Sequence, residues 1–397
     1  MEGQRCARPV AHTQSSQDLP RRYRAGETTV NTYHIDAYKG DIYTCVRSRC
    51  GFCFHACPVF LSKGFETYTS RGKCMIMKAF LEGKLPASQG LADRFALCTT
   101  CGYCTSVCDV DRPEIFNAFR EDLRDAGYTI PRHDEIKENV EKQHSPYGSH
   151  DESLASRFAW KIDHDSPLLY YAGCTARYRE RTIAEAMMMV LPSFDLLEEA
   201  MCCGSVLYRT GYRDDAMRQA RALVSRIERY STVVTTCAGC YKTLTRDYPA
   251  MGLQIRPEVL HCTQYLVREY KGGRLTLSPV GKGTKVTYHD PCHLGRGTCE
   301  YDAPRILLEA MGYEVIEMEH TREMALCCGA GGGLKSIDDS MATRIGSMRM
   351  EEAKRTGASL LVTACPFCVR NLRDAGGGEL DVVDITELIA QSARREK

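Results

Sequence analysis

The sequence has no apolar run long enough to cross a bilayer. Its Met187–Leu191 stretch falls far short of the roughly 20 residues a spanning helix needs. Met1 to Gly26 is polar and arginine-rich, without the apolar core of a secretory signal. A soluble, unsecreted, cytoplasmic chain is expected. Net charge is missing as well, since 52 lysines and arginines face 51 aspartates and glutamates. That balance speaks against nucleic-acid binding and against a polybasic grip on a membrane. What is abundant is cysteine, 22 in 397 residues. In a reducing compartment, thiols set two to four residues apart are metal ligands or redox groups before they are disulfides.

The chain divides by composition. Residues 1–30 lack any hydrophobic period and read as a flexible polar tail, and 31–130 form a compact segment with two cysteine clusters. The polar stretch 131–165 reads as a wrapping linker. The remainder repeats itself: Cys174, Cys202-Cys203-Gly204 and Cys237-x-x-Cys240 recur as Cys292, Cys327-Cys328-Gly329 and Cys365-x-x-Cys368, at offsets of 118, 125 and 128. So little drift marks an internal duplication, giving domains at 166–280 and 281–397.

Each copy alternates short apolar or β-branched runs with helical stripes. Leu168–Ala172 and Thr232–Thr235 predict strands in the first copy, and Lys285–Tyr288 and Ser359–Thr363 in the second. Ala216, Ala220, Leu223 and Ile227, and likewise Met341, Ile345 and Met348, fall at helical spacing and predict core-facing helices. The fold class is α/β: parallel sheets with cysteines gathered beyond the strand ends, behind a mainly helical N-terminal domain.

Cys98-x-x-Cys101-x-x-Cys104-x-x-x-Cys108 has the spacing that wraps three thiolates around one [4Fe–4S] cube and sends the fourth to another. Its partner is Cys45, Cys50, Cys53 and Cys57-Pro58, in which the first cysteine lies two residues further upstream than usual. If the extra residues loop out, one cube takes Cys45, Cys50, Cys53 and Cys108, and the other takes Cys98, Cys101, Cys104 and Cys57. A three-cysteine [3Fe–4S] site is the alternative for the first. Asp109 in place of the usual proline after Cys108 removes no ligand.

The five-cysteine pattern of each copy resembles the CCG domain of heterodisulfide reductases. The resemblance runs from about Tyr43 to the C-terminus and rests on Tyr288-His-Asp-Pro-Cys-His-Leu-Gly-Arg296, Cys327-Cys-Gly-Ala-Gly-Gly-Gly333 and Ala364-Cys-Pro-Phe-Cys368. It implies one noncubane [4Fe–4S] cluster on Cys174, Cys202, Cys203, Cys237 and Cys240. A second would sit on Cys292, Cys327, Cys328, Cys365 and Cys368, the pair facing each other across a substrate disulfide such as coenzyme M–coenzyme B. Zinc at one of the two sites is an alternative, because clustered thiolates bind it well. Gly329, Gly331, Gly332 and Gly333 are expected to bring backbone N–H groups toward the sulfides. His289 and His293 flank Cys292; His293 is the candidate proton donor to a leaving thiolate, with a purely structural part open for both. Cys6, Cys74, Cys262 and Cys299 remain as ordinary thiols.

The resemblance implies an oxidoreductase acting on a sulfur group, with electrons entering at the cubane clusters. Its partner would be a membrane cytochrome b, holding the chain on the inner face of the membrane, or a soluble flavoprotein. The rival reading is a noncatalytic iron–sulfur subunit of a flavin-linked glycolate, lactate or glycerol-3-phosphate dehydrogenase complex. Retention of all ten CCG cysteines favours catalysis.

Overall fold

A computed structural model describes residues 32–55, 57–108, 110–148, 153–197, 199 and 201–394. The expected tail, 1–30, lies outside them. The N-terminal segment is helical, built on Lys39–Ser48, Ser70–Leu81, Gln89–Ala96 and Arg112–Asp125. Ile115, Phe116, Phe119 and Leu123 occupy one face of the last of these and are buried with Phe80 and Phe95. The Phe119 ring meets those of Phe95 and Phe80 edge-on at 4.6 and 5.1 Å, so aromatic packing holds the cysteine loops to a small core. Thr69 caps Ser70–Leu81 by accepting from Gly72 N, worth about 1 kcal/mol.

The stretch read as a linker carries a helix, Pro131–Gln143, opened by its proline. His133, Ile136 and Val140 lie on its buried face. The ring of His133 (Nε2) donates to Gly333 O at 3.2 Å, and Gly333 has φ +84°, a backbone state that only glycine holds cheaply. Burial, and then the Arg120 guanidinium, push the His133 pKa down to about 4. A histidine kept neutral in this way stabilises fully above its unfolded value of 6.5, and the contribution is lost as pH falls toward 4. Wild-type protein should therefore lose about 2 kcal/mol more than His133→Gln between pH 7.5 and 5, read from denaturant midpoints. Equal losses would sink the assignment.

The rest is two α/β units. In the first, β1 (Leu168–Tyr171), β2 (Thr232–Thr235) and β3 (Glu258–His261) pair in parallel in the order β1-β2-β3. After the short β4 (Thr276–Leu277) come β5 (Lys285–His289), β6 (Glu314–Val315), β7 (Leu360–Thr363) and β8 (Asp381–Asp384), a parallel sheet ordered β6-β5-β7-β8. The last strand, β9 (Ala393–Arg394), returns antiparallel to β4. Every strand expected from the apolar and β-branched runs is present, and the helices Arg213–Ile227 and Asp339–Arg355 carry the two apolar stripes. Registers repeat too: Tyr171 stands opposite Thr235 as His289 stands opposite Thr363. Cys174, Cys237, Cys292 and Cys365 follow the carboxyl ends of β1, β2, β5 and β7, where parallel sheets place their ligands. Among the described residues, no helix is long and apolar enough to cross a membrane.

Candidate metal centres

Cys45 sits in the last turn of Lys39–Ser48, and Arg49, at φ +52°, ends that helix and reverses the chain into Cys50. The additional residues thus stay helical instead of looping out. Ser48 Oγ donates to Cys50 Sγ at 3.6 Å, Cys53 is buried in the turn Phe52–Phe54, and Cys57 precedes Pro58–Lys63. Arg112 binds the far side of this group. Its Nη2 lies 3.4 Å from Cys108 Sγ and its Nη1 3.7 Å from the buried Cys74, which hydrogen-bonds Cys45 and draws its thiol down to about 6. Cys57 is pushed up by burial and has Cys101 and Cys98 among its neighbours. Cys104 is partly buried beside Cys101, Cys98 and Cys57.

The two five-cysteine sets share one local design. In each, the glycine after the double cysteine turns its N–H back on the first thiol: Gly204 to Cys202 Sγ at 3.4 Å, Gly329 to Cys327 Sγ at 3.3 Å. Cys203 Sγ lies 3.5 Å from Cys240 Sγ. Cys202 hydrogen-bonds Cys174, and Cys237 pairs with Cys240. In the second set Cys327 interacts with Cys292 and Cys328, and Cys368 with Cys328 and Cys365. Gly173, at φ +73°, has no room for a side chain, because a Cβ there would stand 3.0 Å from Cys240 Sγ.

Two contacts join the groups. Cys237 of the first set lies beside Cys365 of the second, and Cys101 of the N-terminal segment packs with Cys327. Tyr103, Cys101 and Cys327 form one buried cluster with Cys292 at its edge. The glycine run after Cys328 serves this junction more than the sulfurs. Gly329 does reach a thiol, but a Cβ on Gly331 or Gly332 would strike the backbone of Thr99 and Cys98 within 2.6 Å. Three of these glycines, Gly331, Gly332 and Gly333, also lie where the second copy docks, against Thr99, Cys98 and His133.

His293 lies in the first copy's site as much as its own, with Nδ1 3.6 Å from where a Cβ of Gly239 would stand. Burial, then Arg209 and Lys242, hold its pKa well below the usual value. Arg209 Nη2 pairs with the buried Asp247 Oδ2 at 2.9 Å, and Lys242 binds Oδ1 of the same carboxylate. Sequence reasoning missed these three residues, and also Arg112 and Arg120. Arg349 and Glu352 left a readable signal, since they continue the stripe of Met341 and Ile345 on a buried helix face where charges are rare.

All eighteen candidate ligands are free thiols, most of them buried, and none is paired off in a disulfide. Thiolate sets of this density, with N–H groups aimed at sulfur, suit iron–sulfur clusters. Of the remaining cysteines, Cys74 and Cys262 are buried and free, and Cys6 lies outside the described residues. Cys299 is disulfide-bonded, which corrects its reading as an ordinary thiol.

Comparison with known proteins agrees with this layout. A cysteine-rich domain model, CCG, matches residues 168–245 and 286–373, and a 4Fe-4S dicluster domain model matches 41–111. The chain is 34% identical to the D subunit of the dihydromethanophenazine:CoB–CoM heterodisulfide reductase of Methanosarcina barkeri, over 92% of its own length and 95% of the relative's. It belongs to the family of heterodisulfide reductase D subunits, which are CCG iron–sulfur oxidoreductases. Within this family two cubane clusters are implied for the dicluster segment, and the cysteine sets of the CCG repeats are consistent with noncubane clusters. Similarity extends to the B subunit of the fumarate reductase (CoM/CoB) of Methanothermobacter marburgensis, 30% identical over 76% of this chain and 62% of that one. It also extends to the EtfAB:quinone oxidoreductase of Syntrophomonas wolfei, 27% identical over 84% and 55%. Several such relatives are subunits of larger reductases.

Proposed function

We propose that this chain is catalytic, binding a small disulfide where its two five-cysteine sets meet and reducing it to two thiols. The contact between Cys237 and Cys365 carries the reading, because it turns the two complete sets toward one shared place. The ligand groups are those assigned from the sequence, and bound clusters would supply the single electrons that a disulfide bond accepts. Two electrons and two protons convert the disulfide to two thiols. The electrons come from a partner, a membrane cytochrome b or a soluble flavoprotein.

The chain's own groups do the rest. Arg209 lies near Cys203, and Arg209 and Lys242 lie near His293, where their positive charges favour a thiolate product. His293, kept neutral, can donate a ring hydrogen bond to that thiolate but not a proton; its Nε2 has no partner among the described residues. Burial keeps water from competing for it.

The domain limits proposed are 31–130 for the ferredoxin-type unit and 166–280 and 281–397 for the CCG units. Anaerobically purified protein should hold about 16 iron with matching acid-labile sulfide and negligible zinc. It should also reduce the coenzyme M–coenzyme B heterodisulfide with a viologen donor, the compound that the names of the Methanosarcina relatives carry. About 8 iron with no such activity would turn the reading to an electron relay beside a flavoprotein.

A further inference from the structure

We infer that His289 gives the second five-cysteine set an imidazole N–H donor with no counterpart in the first copy, and that this donor raises the reduction potential of the cluster bound there. The inference rests on the reading above, in which both sets hold iron–sulfur clusters. His289 closes β5, and its Nδ1 accepts from Arg349 Nε at 3.1 Å. An arginine N–H can only donate, so the one proton of the neutral imidazole sits on Nε2. That Nε2 is buried and has no hydrogen-bond partner among the described residues. A ring nitrogen of His289 and the sulfurs of Cys328 and Cys368 lie within 4.8 Å of one another, and Nδ1 is taken by Arg349. His289 therefore presents an N–H to the thiolates. To act as a metal ligand through Nε2 it would have to move its proton to Nδ1, against the Arg349 N–H.

The support behind His289 is itself buried. Arg349 Nη1 donates to Glu352 Oε2 at 2.7 Å and to His320 O at 2.8 Å. Arg349 and Glu352 are both 1% exposed or less, which leaves the guanidinium a single arrangement.

The duplication supplies an internal control. Tyr171 ends β1 at the register position that His289 holds in β5, and it lies beside Cys203, Cys240 and Cys202. Its hydroxyl donates to Met201 O instead. Carried back by the 125-residue offset of the double cysteine, Arg349 and Glu352 become Val224 and Ile227. The whole His–Arg–Glu arrangement is thus peculiar to the second copy. An N–H donor to ligand sulfur stabilises the more negative, reduced state and so raises the potential. The favoured set is also the one whose Cys327 touches Cys101, next to the N-terminal segment.

The test is an anaerobic redox titration followed by electron paramagnetic resonance, with iron counted on the same samples. His289→Leu should keep its iron and shift one noncubane signal to lower potential by a tenfold change in its equilibrium, about 59 mV for one electron. His289→Gln, which keeps an N–H of similar reach, should recover most of that shift, and Tyr171→Phe should leave that signal's potential where it was. His289→Asn, whose amide is too short to reach the sulfurs, repeats the leucine arm without an apolar side chain. An unchanged potential with iron intact overturns the inference. Loss of iron from the leucine, asparagine and glutamine proteins alike makes His289 a ligand and overturns it equally. If the wild type itself shows no second noncubane signal, the cluster reading fails and takes the inference with it, a result visible before any variant is made.

Discussion

Replacing Arg120 with leucine should cost about 4 kcal/mol or more and leave the protein short of iron. The guanidinium is buried in the helix Arg112–Asp125 and serves carbonyls from three parts of the chain. Within the N-terminal segment it donates to Phe95 O at 2.6 Å, Ala96 O at 3.3 Å and Cys98 O at 2.8 Å. From the two CCG units it takes Arg209 O and Gly332 O, the latter at 3.1 Å. Leucine fills part of the volume and satisfies none of these acceptors. Each buried carbonyl left bare costs about 1–3 kcal/mol, so even with some relaxation the total reaches the range that few single substitutions do. Lysine should rescue only partly, because a point ammonium cannot span a fork of carbonyls. Denaturant midpoints and iron per chain would decide it, and a loss below about 1 kcal/mol with full iron would show that the junction does not depend on Arg120.

The same residue marks where reading the sequence stops. Cysteine spacing is a local property, and local chemistry made it legible: a thiolate set needs its members a few residues apart, whatever the rest of the chain does. The strands were legible because β-branched runs such as Thr232–Thr235 and Leu360–Thr363 are buried on both faces and carry no polar interruption. The junction was not. Nothing around Arg120 announces that it will meet Gly332, which lies 212 residues away. The glycines after Cys328 suggested sulfur contacts because their N–H groups are visible in sequence, whereas the backbone they press against, at Cys98 and Thr99, belongs to another domain. The helix within the supposed linker was hidden by its polarity, since only His133, Ile136 and Val140 face inward.

Duplication invites the assumption that two copies do the same thing, and the structure argues against it. The first set borrows His293 from the second copy, while the second set has His289 and the contact with Cys101 to itself. A symmetric pair of thiolate sets in an asymmetric surrounding distinguishes the two sulfurs of a disulfide even when the ligands are the same.

That asymmetry shapes the last expectation. Cys203→Ser and Cys328→Ser should each abolish disulfide reduction by more than about 100-fold, beyond the loss typical of disturbing a partner outside the ligand shell. Each should also lower the iron content by about a quarter while the cubane signals persist. Both cysteines sit at the centre of their sets, Cys203 against Cys202 and Cys240, Cys328 against Cys327, Cys368 and His289. Serine keeps the shape but offers a hydroxyl where a soft thiolate is needed. The two variants should differ in what remains. Cys328→Ser disturbs the set that touches Cys101, so electrons from the N-terminal segment should reach neither CCG set. Cys203→Ser leaves that contact intact, and its second-set signal should still be reduced by the donor. Full activity in either variant would rule out a shared site between the sets. Equal reduction of the surviving signal in both would mean that the contact between Cys101 and Cys327 is not the way in.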